Sequence, residues 1–175
     1  LAFVHQNLGL APLISVLENM RVVEITTARR PWIDWRAQRR AAEAALQQFG
    51  LGVDPDQPVS TLSPVERALV AIVRAFTAID ATRSGRELHG LLVLDEPPPF
   101  LARDDVDRLF RLMRQVVAEG ASVLFISHDL DEILEITDRA TVLRDGRVAG
   151  TFETKATGRD AIVEFLRKAM GAPSF

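Results

Sequence analysis

The 175-residue chain has no cysteine, no tyrosine and only two lysines, Lys155 and Lys168. Without cysteine it can form no disulfide, no thiolate metal site and no cysteine nucleophile. Its three histidines, His5, His89 and His128, have no metal-ligand spacing, so no zinc site is expected. No apolar run approaches the ~18 residues that read as a membrane-spanning helix, and no secretory signal pattern opens the chain. The net charge of −3 gives no overall positive field, and no nucleic-acid partner is expected. Neither lysine follows a glycine, so the phosphate-cradling loop GxxxxGK followed by Ser or Thr is absent; GxGxxG is absent too.

What is present is a globular composition, 47% hydrophobic and 26% charged, at a length that fits one domain with a real core. The clearest pattern runs from 91 to 127. "LLVL" and "SVLFIS" are short apolar, β-rich runs. Between them, Val106, Leu109, Phe110, Met113, Val116 and Val117 fall on one helical face, with Asp104 as N-cap and Gly120 as stop. Strand, helix, strand with short connections predicts a βαβ unit with parallel strands and a right-handed crossover. Near-continuous apolar strands predict helices on both faces of the sheet.

Other elements surround that unit. Ser15 and Glu18 form a capping box that starts one helix. A second is expected from about Asp34 to Phe49, ended by Gly50. A third, "LSPVERALVAIVRAF", has Ser63 as N-cap, Pro64 at N1 and Glu66 at N3, with Ala68, Leu69, Ile72, Val73 and Phe76 inward. After "SVLFIS", Asp129 and Glu132 form another capping box. Asp145-Gly146 is a favoured hairpin turn, and "GRDAIVEFLRKAM" is a terminal amphipathic helix. The expected organisation is one α/β domain over 1–175, with a helical part (about 11–80) and an α/β part (about 90–175).

The chemistry sits in "LLVLDEPPPF". In a parallel sheet the carboxyl ends of the strands share one edge, where ligands bind. Asp95 and Glu96 fall on that edge together with Ser127 and His128. Pro97, Pro98 and Pro99 offer no N–H donors to these acids, so the carboxylates should seek a cation, an ordered water or a shared proton. Mg²⁺ would suit Asp95, leaving Glu96 to orient or deprotonate a water. A solvated turn with a surface ion pair is the plainer alternative, as a passive turn residue is for His128. The helix start at Ser63 could attract phosphate, although its cap alone explains the residues.

The ordered motifs resemble the nucleotide-binding domain of ABC transporters, and the resemblance covers nearly the whole chain. "FVHQN" resembles the Q-loop, with Gln6 as its glutamine; "LSPVERALVAIVRAF" stands in the place of the LSGGQ signature and its helix. "LLVLDEP" is similar to Walker B, "LFISHDLDEI" to the H-loop with His128, and "VLRDGRVAG" to the hairpin that follows. The resemblance implies a P-loop NTPase-like parallel sheet, ATP and Mg²⁺ as cofactors, and site roles by position. Asp95 would hold Mg²⁺ through water, Glu96 would be the general base and His128 would contact the γ-phosphate. Gln6 would sense metal and water, and Ser63 and Glu66 would serve the nucleotide of an opposite ATPase domain. Partners would be transmembrane permease subunits, facing Asn7 to Glu18, and a second ATPase domain arranged head to tail. The place would be the cytoplasmic face of the membrane, as a peripheral subunit.

In wording, "VHQNLGLAP", "LSPVER" and "VLRDGRVAGT" look most like the ATPases of monosaccharide (ribose-like) importers. There are departures. Pro64 and Val65 replace two glycines of the signature, Glu66 replaces its glutamine, and Ala102 stands at the D-loop aspartate. All touch what such a domain gives its neighbour, whereas Glu96 and His128 serve its own nucleotide. The chain starts at Leu1, partway through the pattern, so it is expected to be a piece truncated before the Q-loop and therefore without the phosphate loop, Walker A. The expected function is the ATP-hydrolysing subunit of a sugar importer, inactive as this piece alone. The alternatives are a nucleotide-incompetent scaffold and a non-transport ABC-type ATPase.

Overall fold

The computed structural model describes residues 1–27, 32–81, 90–96 and 101–169. Pro97, Pro98, Pro99 and His89 lie outside the described residues. The chain divides into two compact units, the first Leu1–Ile126 and the second beginning at Ser127.

In the first unit, β1 (Ala2–Val4), β2 (Leu91–Asp95) and β3 (Ser122–Ile126) form a parallel sheet in that order. Val4 pairs with Leu94 and Leu94 with Phe125, while Asp95 pairs with Ile126. The expected α/β class with a parallel sheet and packed helices is borne out. Among the described residues, four α-helices, α1 (Val16–Thr27), α2 (Trp35–Gln48), α3 (Pro64–Ala81) and α4 (Arg103–Ala118), and a short 3-10 helix, Val59–Thr61, complete the unit.

Local chemistry explains the helix ends. The Ser15 N–H donates to Glu18 Oε2 at 2.7 Å and the Glu18 N–H returns to Ser15 Oγ at 3.1 Å, a complete capping box for α1. The Ser15 N–H, and after it the Ser15 hydroxyl donating to Glu18 Oε2 at 2.8 Å, hold the Glu18 carboxyl below its ordinary range. Asp34 caps α2 through the Ala37 N–H. Gly50, at φ +69, ends α2, with its N–H on the Gln47 carbonyl and the Leu51 N–H on the Leu46 carbonyl.

Gly120, at φ +92, stops α4 as expected, but the start of the helix and its buried stripe depart from expectation. The N–H groups of Asp105 and Val106 donate to the Ala102 carbonyl, so Ala102 is the cap and Asp104 lies in the first turn. Acids there still suit the positive end of the helix dipole. Val117, expected inward, is 52% exposed, whereas Leu112 is buried. α4 packs against both α3 and β3, which turns its buried stripe toward Leu112.

α3 is the centre of the unit. Its expected inward residues are all buried, and Val65, Val70, Ala71 and Ala75 are buried too, because α1, α2, α4 and two strands pack around it. Partners in register on parallel strands point to one face. Val4, Leu94 and Phe125 share the face on which α4 lies, where Phe110 meets Phe125 edge-on. On the other face Val93 is buried, but Phe3, Leu124 and Ile126 stay about half exposed, at 51%, 50% and 43%.

The second unit contains α5 (Leu130–Ile136), β4 (Arg139–Arg144), β5 (Arg147–Glu153) and α6 (Arg159–Ala169). The hairpin turns as expected at Asp145 (φ +51) and Gly146 (φ +73), the left-handed pair that a two-residue turn requires. Phe165 of α6 meets Phe152 of β5 edge-on, and a Cβ at Gly150 would lie 2.6 Å from the Phe165 ring. The cap of α5 differs in detail from a capping box. Asp129 Oδ1 accepts from the N–H groups of Asp131 and Glu132, but the Asp129 N–H donates to Ser127 Oγ, whose hydroxyl donates to Glu132. Ser127 therefore closes the link expected directly from Glu132.

Candidate active site at the sheet edge

The carboxyl ends of β1 and β2 deliver Gln6, Asp95 and Glu96 to one edge, as parallel pairing dictates. Gln6 and Glu96, 90 residues apart in sequence, meet there: Gln6 Nε2 donates to Glu96 Oε2 at 3.4 Å. The Glu96 N–H donates to the Ile126 carbonyl at 3.0 Å, fastening the acid turn to the end of β3. Glu96 has φ +47, in the left-handed region. For a residue with a Cβ this costs about 1–2 kcal/mol, and such outliers gather at functional sites. An apolar-floored slot opens beside the acids, lined by Val4, Leu8, Ile72 and Leu94 beneath His5, Asp95 and Glu96.

Ser63 and Glu66 are at the start of α3, where they hold each other. The Ser63 N–H donates to Glu66 Oε2 at 2.8 Å and the Glu66 N–H to Ser63 Oγ at 3.3 Å. The two bonds from Ser63, backbone first, keep the Glu66 carboxyl below the usual carboxylate range. With Pro64 lacking an N–H, few donors remain at that end for an anion. His128 belongs to the second unit, where it is exposed and immediately precedes the Asp129 cap.

Two residues near the acids carried no chemical assignment in the sequence. His5 stacks on Phe3 with ring centroids 5.5 Å apart and borders the slot. Arg74 of α3 reaches the turn after Gln6, Nη1 donating to the Gly9 carbonyl at 2.8 Å and Nη2 to the Leu8 carbonyl at 3.0 Å. A single charge inside "LVAIVRAF", otherwise apolar, was the available signal.

The donor set suits a hard cation. Asp95, Glu96 and Gln6 present oxygens at one strand edge, and Mg²⁺ typically takes only one or two protein carboxylates, with water and phosphate filling the rest. Among the described residues no cluster of three or more His, Cys, Asp or Glu forms an all-protein metal cage. The fit to a nucleotide is different: the chain contains no glycine-rich loop with lysine to hold phosphates.

Comparison with known proteins adds the following. No family model matches the chain. It is 37% identical over 165 residues to the ribose import ATP-binding protein RbsA 3 of Rubrobacter xylanophilus, covering 94% of this chain and 31% of that protein. It is 40% identical over 168 residues to RbsA 2 of Burkholderia pseudomallei, covering 94% and 31%. To the fructose import ATP-binding protein FruK of Bifidobacterium longum it is 40% identical over 168 residues, covering 95% and 31%. The chain thus spans about a third of the length of the curated relatives it matches. Among solved structures, the ATP-binding cassette MJ0796, a dimer in a post-hydrolysis state with ADP and Pi, superposes with TM-score 0.67 at 22% identity, over 87% of this chain and 62% of that one. The structure of cbiO1 from Clostridium perfringens, part of the ABC transporter complex cbiONQ, gives TM-score 0.69 at 19% identity, over 95% and 62%. At these identities the two structures bear on the fold alone.

Proposed function

We infer that this chain is part of an ATP-binding-cassette import ATPase and carries the water and metal side of its hydrolytic site, a reading that its similarity to sugar-import ATP-binding proteins supports. The observation that carries the reading is the Gln6–Glu96 contact at the carboxyl edge of the sheet. Glu96 is the general base: its carboxylate accepts a proton from the attacking water. Gln6 holds the Glu96 carboxylate toward the attacking water, and Asp95 would hold Mg²⁺. Mg²⁺, when bound, supplies electrostatic stabilisation of the phosphoryl oxygens. His128 serves as a polar contact to the terminal phosphate.

The names of the relatives support a sugar as the transported solute, with ATP as the energy source. Partners in this reading are transmembrane permease subunits, which meet the stretch Asn7 to Glu18, and a second ATPase domain, with no nucleic acid. Attachment in this reading is peripheral, at the cytoplasmic face; no helix among the described residues is long and apolar enough to cross a membrane. The helical stretch from about 11 to 80 and the α/β stretch from about 90 to 175 act as parts of one ATPase domain. Ser63 and Glu66 face the nucleotide held by the second domain, although their mutual cap leaves them little bonding capacity for it. These 175 residues alone bind ATP weakly or not at all, for want of a phosphate cradle. The Ser63–Glu66 mutual cap and Pro64, which leave few donors for a phosphate, favour a second reading, a nucleotide-incompetent scaffold in which the acid pair is structural.

The two readings part on Mg²⁺-dependent ATP hydrolysis by the protein expressed from its own gene, beside its Glu96→Gln variant. Turnover that disappears in the variant while ATP still binds supports the base. A wild-type protein that neither binds nor hydrolyses ATP supports the scaffold.

A further inference from the structure

The turn that carries Gln6 out of β1 is strained. Leu8 and Gly9 both adopt left-handed backbone, at φ +57 and +55. The Leu8 N–H donates to the His5 carbonyl and the Gly9 N–H to the Asn7 carbonyl, both at 2.7 Å, which folds the turn tightly around Gln6. Its two outward carbonyls, of Leu8 and Gly9, are both taken by the Arg74 fork at 3.0 and 2.8 Å. Among the described residues no carboxylate pairs with that guanidinium. Burial by α3 and the turn pushes its pKa below the ordinary arginine value. A partly buried cation that meets carbonyl dipoles is a costly way to hold a loop, and a shorter polar side chain could not span two successive carbonyls. The Gln6–Glu96 contact at the far side of the turn is long, 3.4 Å, so a shift of a few tenths of an ångström in the turn makes or breaks it.

We infer that Arg74 is a positioning residue: its fork on the Leu8 and Gly9 carbonyls sets the Gln6 amide against Glu96. α3 is the most enclosed helix of the unit, so the fork refers Gln6 to the rigid core. The inference rests on the reading of Glu96 as the base, and it adds a residue that touches neither metal nor nucleotide.

The test is a double-mutant cycle on the protein expressed from its own gene, Arg74→Met and Gln6→Ala, singly and together, with Arg74→Lys as the conservative variant. Arg74→Met is expected to lower kcat for ATP roughly tenfold, in the range found for groups that orient a site from behind. KM should stay within about twofold, because uniform binding is untouched. Arg74→Lys should recover only part, since one ammonium does not match two carbonyls. In the Gln6→Ala background Arg74→Met should cost nothing further, because the residue it positions is gone. Amide hydrogen exchange gives a readout independent of ATP: Leu8 and Gly9 should exchange faster in Arg74→Met, with the core amides of α3 unchanged. Effects of the two substitutions that simply multiply, or unaltered exchange at Leu8 and Gly9, would overturn the inference. Should the wild type hydrolyse no ATP, the reading of Glu96 fails, and the exchange measurement still decides whether Arg74 holds the turn.

Discussion

Asn19 offers a sharp test of how the loop before α1 is held. It is 2% exposed, one of only two buried polar or charged residues among those described. Its amide oxygen accepts from the Ala11 N–H at 2.8 Å, and its amide nitrogen donates to the carbonyls of Ala11 at 2.9 Å and Ser15 at 3.0 Å. A longer contact, 3.5 Å, reaches the Ile14 carbonyl. Counting the three short bonds at about 1 kcal/mol net each gives about 3 kcal/mol for Asn19→Ala, before any unpaired Ala11 group or cavity is added. With a urea slope of about 2 kcal/mol/M, the unfolding midpoint should fall by about 1.5 M. Far-UV circular dichroism is the suitable probe, because Trp32 and Trp35 are exposed and would report little. Asn19→Asp discriminates further. It keeps the acceptor for the Ala11 N–H but points a carboxylate at two carbonyls, so its folded-state pKa must rise. A raised carboxyl pKa means stability present below the unfolded value and lost as pH rises through the folded one, so this variant should be markedly more stable at pH 4 than at pH 8. An Asn19→Ala midpoint within about 0.3 M of wild type, or an Asn19→Asp variant indifferent to pH, would refute the buried clamp.

Glu66 carries the opposite sign. Its folded pKa is lowered by the Ser63 bonds, so its contribution is present above the unfolded carboxylate pKa and lost as pH falls through the folded one; between pH 6 and pH 3 the wild type should lose more stability than Glu66→Gln. Ser63→Ala should cost about 1 kcal/mol at neutral pH, and should cost less in a Glu66→Gln background, because the two share one cap; equilibrium unfolding of the four proteins checks both statements. Gly150→Ala puts a Cβ 2.6 Å from the Phe165 ring and should destabilise by about 1–3 kcal/mol, restored in part by Phe165→Leu in the same denaturation assay.

How much of this was legible depends on the range of the interaction. Capping boxes at Ser15 and Ser63 and the turn at Asp145-Gly146 are decided within a few residues, and the structure places them as the sequence implies. The apolar runs identified β2 and β3 and their parallel pairing, because a strand, helix, strand order leaves few other arrangements. β1 is too short for any periodicity, so its place beside β2, and with it the Gln6–Glu96 contact, was accessible only through family resemblance. The start of α4 was missed because Asp104 is a good cap by type, whereas the Ala102 carbonyl accepted the first helical bonds. The edge of its buried stripe at Val117 was set by where α3 and β3 lie, which the helical period does not contain. Asn19 and Arg74 act on backbone carbonyls, partners that have no sequence signature at all.

The central claim is that Glu96 is the base of a Mg²⁺-dependent ATP hydrolysis. The most direct measurement is phosphate release from MgATP by the wild-type protein and by Glu96→Gln, with retained nucleotide quantified on both. The account predicts that the glutamine variant keeps ATP bound unhydrolysed and releases phosphate about 10²–10⁴-fold more slowly, the usual worth of a positioned base. Equal phosphate release by the two proteins would contradict it.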